Sequence, residues 1–326
     1  MKSRNEVLNY LEANLGTYIS GEQIAKTLGL SRSAVWKIIR TLKDEGYPID
    51  SKTNKGYRLD PQSSLLSEAA LVPLLEKHVS PDRIHVYDSL TSTNSLAKEM
   101  AYKGAPQGTV IIAKEQTGGR GRMGRTFFSP KNTGLYISII LRPQMKINQS
   151  LFITAAAGAL ITQSIKNITG LDVQIKWVND LYYQNKKVCG ILTEASSDFE
   201  SGSIDHLILG IGINLFTPES QFPDDLKDNA GALFSNQSNT ERTGIRLAAD
   251  LINTFTRPDV FDHRDDLMDL YKRQSLVLGK DVMLTGAHTA MTGTVIDFTP
   301  EGYLILKTDD DSKKIISSGE ITLRMR

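Results

Sequence analysis

The hydrophobic period of this chain changes twice along its length, and that limits the folds open to it. Over roughly the first forty-five residues, apolar side chains recur at helical spacing. From residue 63 strand-like and helical runs alternate, and from about residue 272 only short strands remain. A chain of 326 residues exceeds one ordinary domain. Three segments are therefore expected, at 1–62, 63–271 and 272–326. The most apolar run, LFITAAAGALI, is too short and too alanine-rich to span a bilayer. The start, MKSRNEVLNYLEAN, has no apolar signal-peptide core. Cys189 is the sole cysteine, which excludes an internal disulfide and suits a reducing cytoplasm.

In the first segment Val7, Leu8 and Leu11 form a helical stripe. Ser20 is placed to cap a second helix, Gly21 to Leu28, with Gly29 as its left-handed stop. Ser31 caps a third helix, whose apolar face is Val35, Ile38, Ile39 and Leu42. Two short helices joined by a tight glycine-containing turn make a helix-turn-helix pattern. Arg32, Trp36 and Arg40 recur every four residues on the outer face, with Ser33 and Lys37 beside them. Such a face can meet phosphates and base edges in a major groove. IDSKTNKGYRL then reads as a hairpin whose basic tip carries Lys52 and Lys55, as in the winged-helix domains of bacterial repressors. Up to Asp60 there are ten basic and seven acidic side chains, whereas the whole chain balances 38 against 37. Arg32, Ser33, Trp36, Lys37, Arg40, Lys52 and Lys55 are therefore the expected DNA-binding residues.

The middle segment predicts an α+β domain around a central sheet, and its chemistry gathers in four places. GGRGRMGR, from Gly118 to Arg125, places flexible backbone N–H groups and permanently charged guanidiniums in one short loop, which suits a phosphate or a carboxylate. It has neither the Walker nor the Rossmann spacing, and a basic RNA-binding loop is the other reading. KWVNDLYYQNKKVCG brings Lys176, Asn179, Asp180 and Lys187 to strand ends, the usual parts of nucleotide chemistry with Mg²⁺. DSLTSTN offers Ser92, Thr93 and Asn94 at a helix N-terminus, and GIGINL sets Asn214 in an apolar strand. The five histidines are scattered, which argues against a metal site built on them. In the tail, KDVMLTG, MTGTVIDF, GYLILKT, KKIISSG and EITLR read as a small SH3-like β-barrel.

Together, STN, GGRGRMGR, KWVNDLYYQNKKVCGIL and GIGINL closely resemble the signatures of the bacterial bifunctional biotin–protein ligases that also repress the biotin operon. The resemblance spans essentially the whole chain. It implies a winged helix-turn-helix, a ligase-type catalytic domain with a mixed sheet, and an SH3-like C-terminal domain. It also implies that Ser92, Thr93, Asn94 and Gln116 meet the biotin ring, and that Gly119, Arg120, Gly121 and Arg122 fold over it. Lys187 and Gly190 then lie along the biotin, with Lys187 at its carboxylate. Arg122, Arg125, Phe127, Lys176, Asn179, Asp180, Asn214 and Arg324 would serve the nucleotide, and Asp180 would hold Mg²⁺. The sequence departs from the family at Val178, where proline is common, and at Phe127, where tryptophan is common.

The implied chemistry is attack of the biotin carboxylate on the α-phosphate of ATP, giving biotinyl-5′-AMP, then transfer to a lysine of a biotin-carrier domain. Arg122 and Lys187 would be catalytic, because two anions must be brought together. A loop that closes would shield the mixed anhydride from water. The resemblance further implies operator DNA as a partner and a homodimer strengthened by biotinyl-5′-AMP. A lipoate–protein ligase shares the adenylation logic but usually lacks the winged helix, and Gln116 with the Gly-Arg loop favours biotin. A ligand-sensing repressor without catalysis would lack Lys187 or Arg122, and both are present.

Overall fold

A computed structural model describes residues 2–197, 202–218, 220–236, 242–285 and 290–323. It divides into two compact units, Met1–Lys77 with Ser238–Asp250, and His78–Gln237 with Leu251–Arg326.

The first unit is built from helices α1 (Lys2–Ala13), α2 (Gly21–Leu28) and α3 (Arg32–Asp44), a hairpin of β1 (Ile49–Lys52) and β2 (Gly56–Leu59), and a short α4 (Glu68–Leu71). The cap signals act as read from the sequence. Ser20 accepts from the Gln23 N–H, Ser31 accepts from the Ala34 N–H, and Gly29 sits at φ 64°. Val7, Leu11, Ile24, Val35, Ile39, Leu42 and Leu59 form a single buried core, each such side chain contributing about 1.5–3 kcal/mol. A turn with Asn54 at φ 63° and Gly56 at φ 101° closes the hairpin. Ile19 adds a third edge, exchanging backbone hydrogen bonds of 2.9 Å with Tyr57 in both directions. Arg242, far along the chain, returns to this unit and pairs with the buried Glu12 at 3.0 Å. Burial raises the Glu12 carboxyl above its ordinary value, and Arg242 only partly offsets the shift.

The second unit centres on a mixed seven-stranded sheet. Its strands are β3 (Ile84–Tyr87), β4 (Val110–Ala113), β5 (Gly134–Leu141), β6 (Gln174–Lys176), β7 (Asp180–Tyr183), β8 (Lys186–Ser197) and β9 (Ile204–Asn214). Their spatial order is β3-β4-β5-β9-β8-β7-β6, with only the β3–β4 pair parallel. Strands β4 and β5 are apolar and buried nearly throughout, as expected at the middle of a covered sheet. Helix α5 (Thr93–Tyr102) packs Ala97 and Ala101 on Ile111, Ile140 and Ile208.

Helix α6 (Ser150–Thr169) packs on β6, β7 and β8. With the turn before it, α6 forms a 23-residue helical stretch, longer than its apolar run suggests and by length and composition enough to cross a membrane. Two-thirds of it is buried inside the protein, however, as befits a core helix. Helices α7 (Thr243–Phe255) and α8 (Arg264–Arg273) follow, and α8 packs on α6.

The tail forms a five-stranded antiparallel sheet of β10 (Asp281–Thr285), β11 (Ala290–Phe298), β12 (Leu304–Thr308), β13 (Lys313–Ile316) and β14 (Glu320–Leu323), ordered β13-β12-β11-β10-β14. Its turn at Gly302 accepts the Trp177 indole N–H at 2.9 Å, and Asp297 pairs with Lys272 at 2.8 Å.

The hairpin of the first unit depends on one glycine. A Cβ at Gly56 would lie 2.0 Å from the Ile19 carbonyl oxygen, on a backbone already at φ 101°. Gly56→Ala is expected to cost roughly 1–3 kcal/mol or more, seen as an earlier urea transition of the N-terminal unit. An unchanged midpoint would remove the close approach as the reason for glycine there.

Candidate active site

The site residues of the middle segment converge on one end of the mixed sheet. Ser92, Thr93 and Asn94 are all buried at the start of α5, where Ser92 is the N-cap. Thr93 donates twice to Gln116 Oε1, from its backbone N–H at 2.8 Å and from its hydroxyl at 3.1 Å. Gln116 Nε2 donates to Ser129 Oγ at 2.9 Å, and Ser129 donates to the Phe127 carbonyl at 2.9 Å. The buried Ser138 hydroxyl lies 2.7 Å from Thr93 Oγ1 and 2.6 Å from Asn94 Oδ1. Asn94 Nδ2 donates to Glu194 Oε2 at 2.9 Å. Sequence reasoning missed Ser129, Ser138 and Glu194. Each stands in an ordinary strand or loop context, and only the fold brings them to the motifs.

The Gly-Arg loop folds back on itself between β4 and β5. Phe127 N–H donates to the Gly119 carbonyl at 2.9 Å, and Gly121 N–H donates to the Arg125 carbonyl at 2.7 Å. The left-handed residues at its tip are Met123 at φ 56° and Gly124 at φ 75°. Gly119 is required for a different reason: its Cβ would lie 2.3 Å from the Phe127 carbonyl oxygen on the returning strand. Arg122 Nη1 donates to Asn179 Oδ1 at 2.9 Å, and Asn179 Nδ2 donates to the Ile191 carbonyl at 3.0 Å. Arg120 pairs with Glu194 at 3.2 Å. Arg125 is exposed.

Lys187 pairs with Asp180 at 2.7 Å across the β7–β8 hairpin. Lys176 lies over the Tyr182 ring, 5.1 Å from its centre. Burial, and then Asp180, push the Tyr182 hydroxyl up to about 12. Asn214 Nδ2 donates to the Gly231 carbonyl at 2.9 Å.

Gly190 of β8 stands opposite Gly212 of β9, and the Phe127 ring covers both. A Cβ at Gly212 would meet that ring at 2.6 Å and one at Gly190 at 3.1 Å. Two facing glycines under an aromatic ring form a shallow apolar cradle beside Lys187, whose Cε lies 3.4 Å from the Gly190 position. Next to it, Arg122, Ser150, Leu151, Thr154, Val178, Ile191 and Thr193 line a cavity of about 200 Å³. Arg324 lies outside the described residues. Among the described residues no three His, Cys, Asp or Glu side chains cluster to hold a metal ion.

In the first unit Arg32, Ser33, Trp36, Lys37 and Arg40 of α3 are all exposed, as are Lys52 and Lys55 of the hairpin. Trp36 is 52% exposed and carries the Arg40 guanidinium 5.8 Å from its ring centre. Lys43 of α3 donates to Ser51 Oγ of β1 at 2.8 Å, tying helix to hairpin. All seven residues are therefore open to solvent.

Comparison with known proteins agrees with this layout. Residues 86–214 match the biotin/lipoate A/B protein ligase family, residues 3–58 a helix-turn-helix domain, and residues 277–324 the biotin protein ligase C-terminal domain. The bifunctional ligase/repressor BirA of Bacillus subtilis is 33% identical over 97% of both chains. The BirA of Escherichia coli is 32% identical over 95% of this chain and 94% of its own. Among solved structures, a biotin protein ligase from Aquifex aeolicus in complex with biotin and ATP is similar, with TM-score 0.55 and 27% identity. That likeness covers 74% of this chain and 99% of the other.

Cys189 lies between Lys187 and Gly190 and is fully buried. Burial pushes its thiol well above the ordinary range, outweighing the pull of Lys187. Because only the thiolate reacts, Cys189 is expected to resist alkylation at pH 8 in the native protein and to react once it is unfolded. Rapid labelling of native protein by a thiol-exchange reagent would contradict the burial.

Proposed function

The chain belongs to the bacterial family of bifunctional biotin ligases and repressors, and we propose that Lys187, Arg122 and the Gly118–Arg125 loop carry its chemistry. It is an ATP-dependent biotin–protein ligase that also binds DNA as a transcriptional repressor. One observation supports the assignment of roles above the others. Four motifs far apart in sequence meet at one end of the sheet, and each supplies a different part of the same reaction.

Ser92, Thr93, Asn94 and Gln116 form the polar frame for the ureido ring of biotin, and Gln116 is already held by Thr93 and Ser129. The acyl chain takes the place over Gly190 and Gly212 on which the Phe127 ring rests, and the ring turns aside to become its wall. Its carboxylate then reaches Lys187 in competition with Asp180. Arg122, released from Asn179, meets the α-phosphate. Two cations offset the repulsion between carboxylate and phosphate and stabilise charge in the transition state.

Lys176, Asn179, Asp180, Asn214 and Arg125 face the nucleotide, and Arg324 is assigned there by family resemblance alone. Asp180 is the carboxylate paired with Lys187, next in sequence to the Asn179 that holds Arg122. Asp180 would be the protein's ligand to a Mg²⁺, which would supply positive charge to offset that of the phosphates. Gly119, Arg120 and Gly121 close the loop over the adenylate and exclude water from the mixed anhydride.

The acceptor is a lysine of a biotin carboxyl-carrier domain of a carboxylase, reached in the cytoplasm. Met123, 77% exposed at the loop tip, suits a loop that becomes part of a dimer surface once biotinyl-5′-AMP orders it. A single winged helix covers one half-site, so the adenylate-bound homodimer is the operator-binding form. Arg32, Ser33, Trp36, Lys37 and Arg40 enter the groove, and Lys52 and Lys55 flank it.

Pyrophosphate release from ATP and Mg²⁺ with either biotin or lipoate tests this reading. Biotin alone should support it, and release with lipoate alone would overturn it. Lys187→Ala should slow adenylate formation by roughly 10²–10³ with the protein still folded, and a near-wild-type rate would remove Lys187 from the chemistry. Arg40→Ala should weaken operator binding without touching ligation, and wild-type binding should fall steeply with salt. Sedimentation with operator titration should also show tighter dimers and tighter DNA binding when biotin and ATP are present. Equal affinity in both conditions would leave only the ligase.

A further inference from the structure

No motif in the sequence points to Glu194, yet its carboxylate joins two parts of the site. It stands on β8 opposite Ile208 of β9, with a side chain 18% exposed. One oxygen lies 3.2 Å from Arg120 Nη1 of the loop. The other accepts from Asn94 Nδ2 at 2.9 Å. The orientation of Asn94 follows, because its Oδ1 faces the Ser138 hydroxyl at 2.6 Å. The amide rests against Gly210, where a Cβ would lie 2.1 Å from that same oxygen, so a glycine there leaves Asn94 its place. From Ser138 the polar chain runs through Thr93, Gln116 and Ser129 to the Phe127 carbonyl. Glu194 thus holds the beginning of the loop at Arg120, and the far end of the same chain holds its return at Phe127.

We propose that Glu194 is a positioning residue that latches the loop through Arg120 and, with the same carboxylate, sets the Asn94 amide in the frame that meets the biotin head group. The proposal rests on the ligase reading above. Only a carboxylate can serve both contacts, because it accepts at both oxygens. A glutamine of the same size must turn its NH₂ toward either the Arg120 or the Asn94 donor. E194Q therefore breaks one contact while preserving volume.

The test uses the full-length protein, E194Q, R120Q and the double variant, each melted to check folding. Three quantities are measured: trypsin cleavage after Arg122 and Arg125, the loop sites every variant retains, without added ligands; kcat and KM for biotin in pyrophosphate release; and biotin transferred to bystander albumin. E194Q should speed loop cleavage about tenfold, the scale of one charged hydrogen bond. It should also raise the biotin KM more than it lowers kcat, and increase albumin labelling. The double variant should cleave no faster than the faster single one, because both remove the same latch. If E194Q fails to fold, R120Q, altered at a half-exposed side chain, must alone reproduce the faster cleavage. Loop cleavage at the wild-type rate, or effects of E194Q and R120Q that multiply, would overturn the latch. A wild-type protein that releases no pyrophosphate with biotin would instead overturn the ligase reading, which the cleavage arm does not depend on.

Discussion

A site that must grip anionic substrates has to keep its own cations neutralised until those substrates arrive, and this constraint organises the catalytic unit. An unpaired charge at a half-buried position is costly, so each cation is given a partner a ligand can replace. Lys187 rests on Asp180, Arg120 on Glu194, and Arg122 on the amide of Asn179. The partners differ in strength. Two are carboxylates and one is neutral, so Arg122 is the most weakly held of the three cations. The loop is therefore a folded clasp stabilised by exchangeable contacts.

Those contacts require rigid walls, which the mixed sheet provides. Strands β8 and β9 run antiparallel and bring Gly190 opposite Gly212, so the backbone itself becomes the floor of the cradle. Phe127 closes it from the loop side, in edge contact with Tyr136 at 6.4 Å between ring centres. The last sheet reinforces the strand that leads to Asn179, because the Trp177 indole is anchored on Gly302 only two residues earlier. The order of the chain explains this economy: one run through three strands, Gln174 to Gly190, carries Lys187, the Asn179 amide, the Asp180 carboxylate and one of the two floor glycines.

The DNA-binding unit rests on different physics. Its small core is set by helical periodicity and by two serine caps, and its working face stays exposed because that face packs against nothing within the unit. The Lys43–Ser51 bond fixes recognition helix to hairpin, while the stacking of Arg40 on Trp36 restrains a long cationic side chain before any DNA is met.

Local rules account for what the sequence determined by itself. Caps, glycine stops and hydrophobic period specify the three helices and the hairpin of the first unit, because each depends on residues within a few positions. The motifs DSLTSTN, GGRGRMGR, KWVND and GIGINL mark the site for the same reason: their chemistry is unusual in place. The tertiary structure alone decided which ordinary residues join them. Ser138 lies in an apolar strand, Ser129 in a turn and Glu194 near a strand end, and nothing local distinguishes them. They matter because the strand order sets β5 and β8 on either side of β9 and so brings Ser138 and Glu194 to Asn94, across 44 and 100 residues respectively. Gly119 shows the same division. Its place in a flexible loop was evident, but the reason for it, the Phe127 carbonyl pressed against its α-carbon, exists only once the loop has folded back.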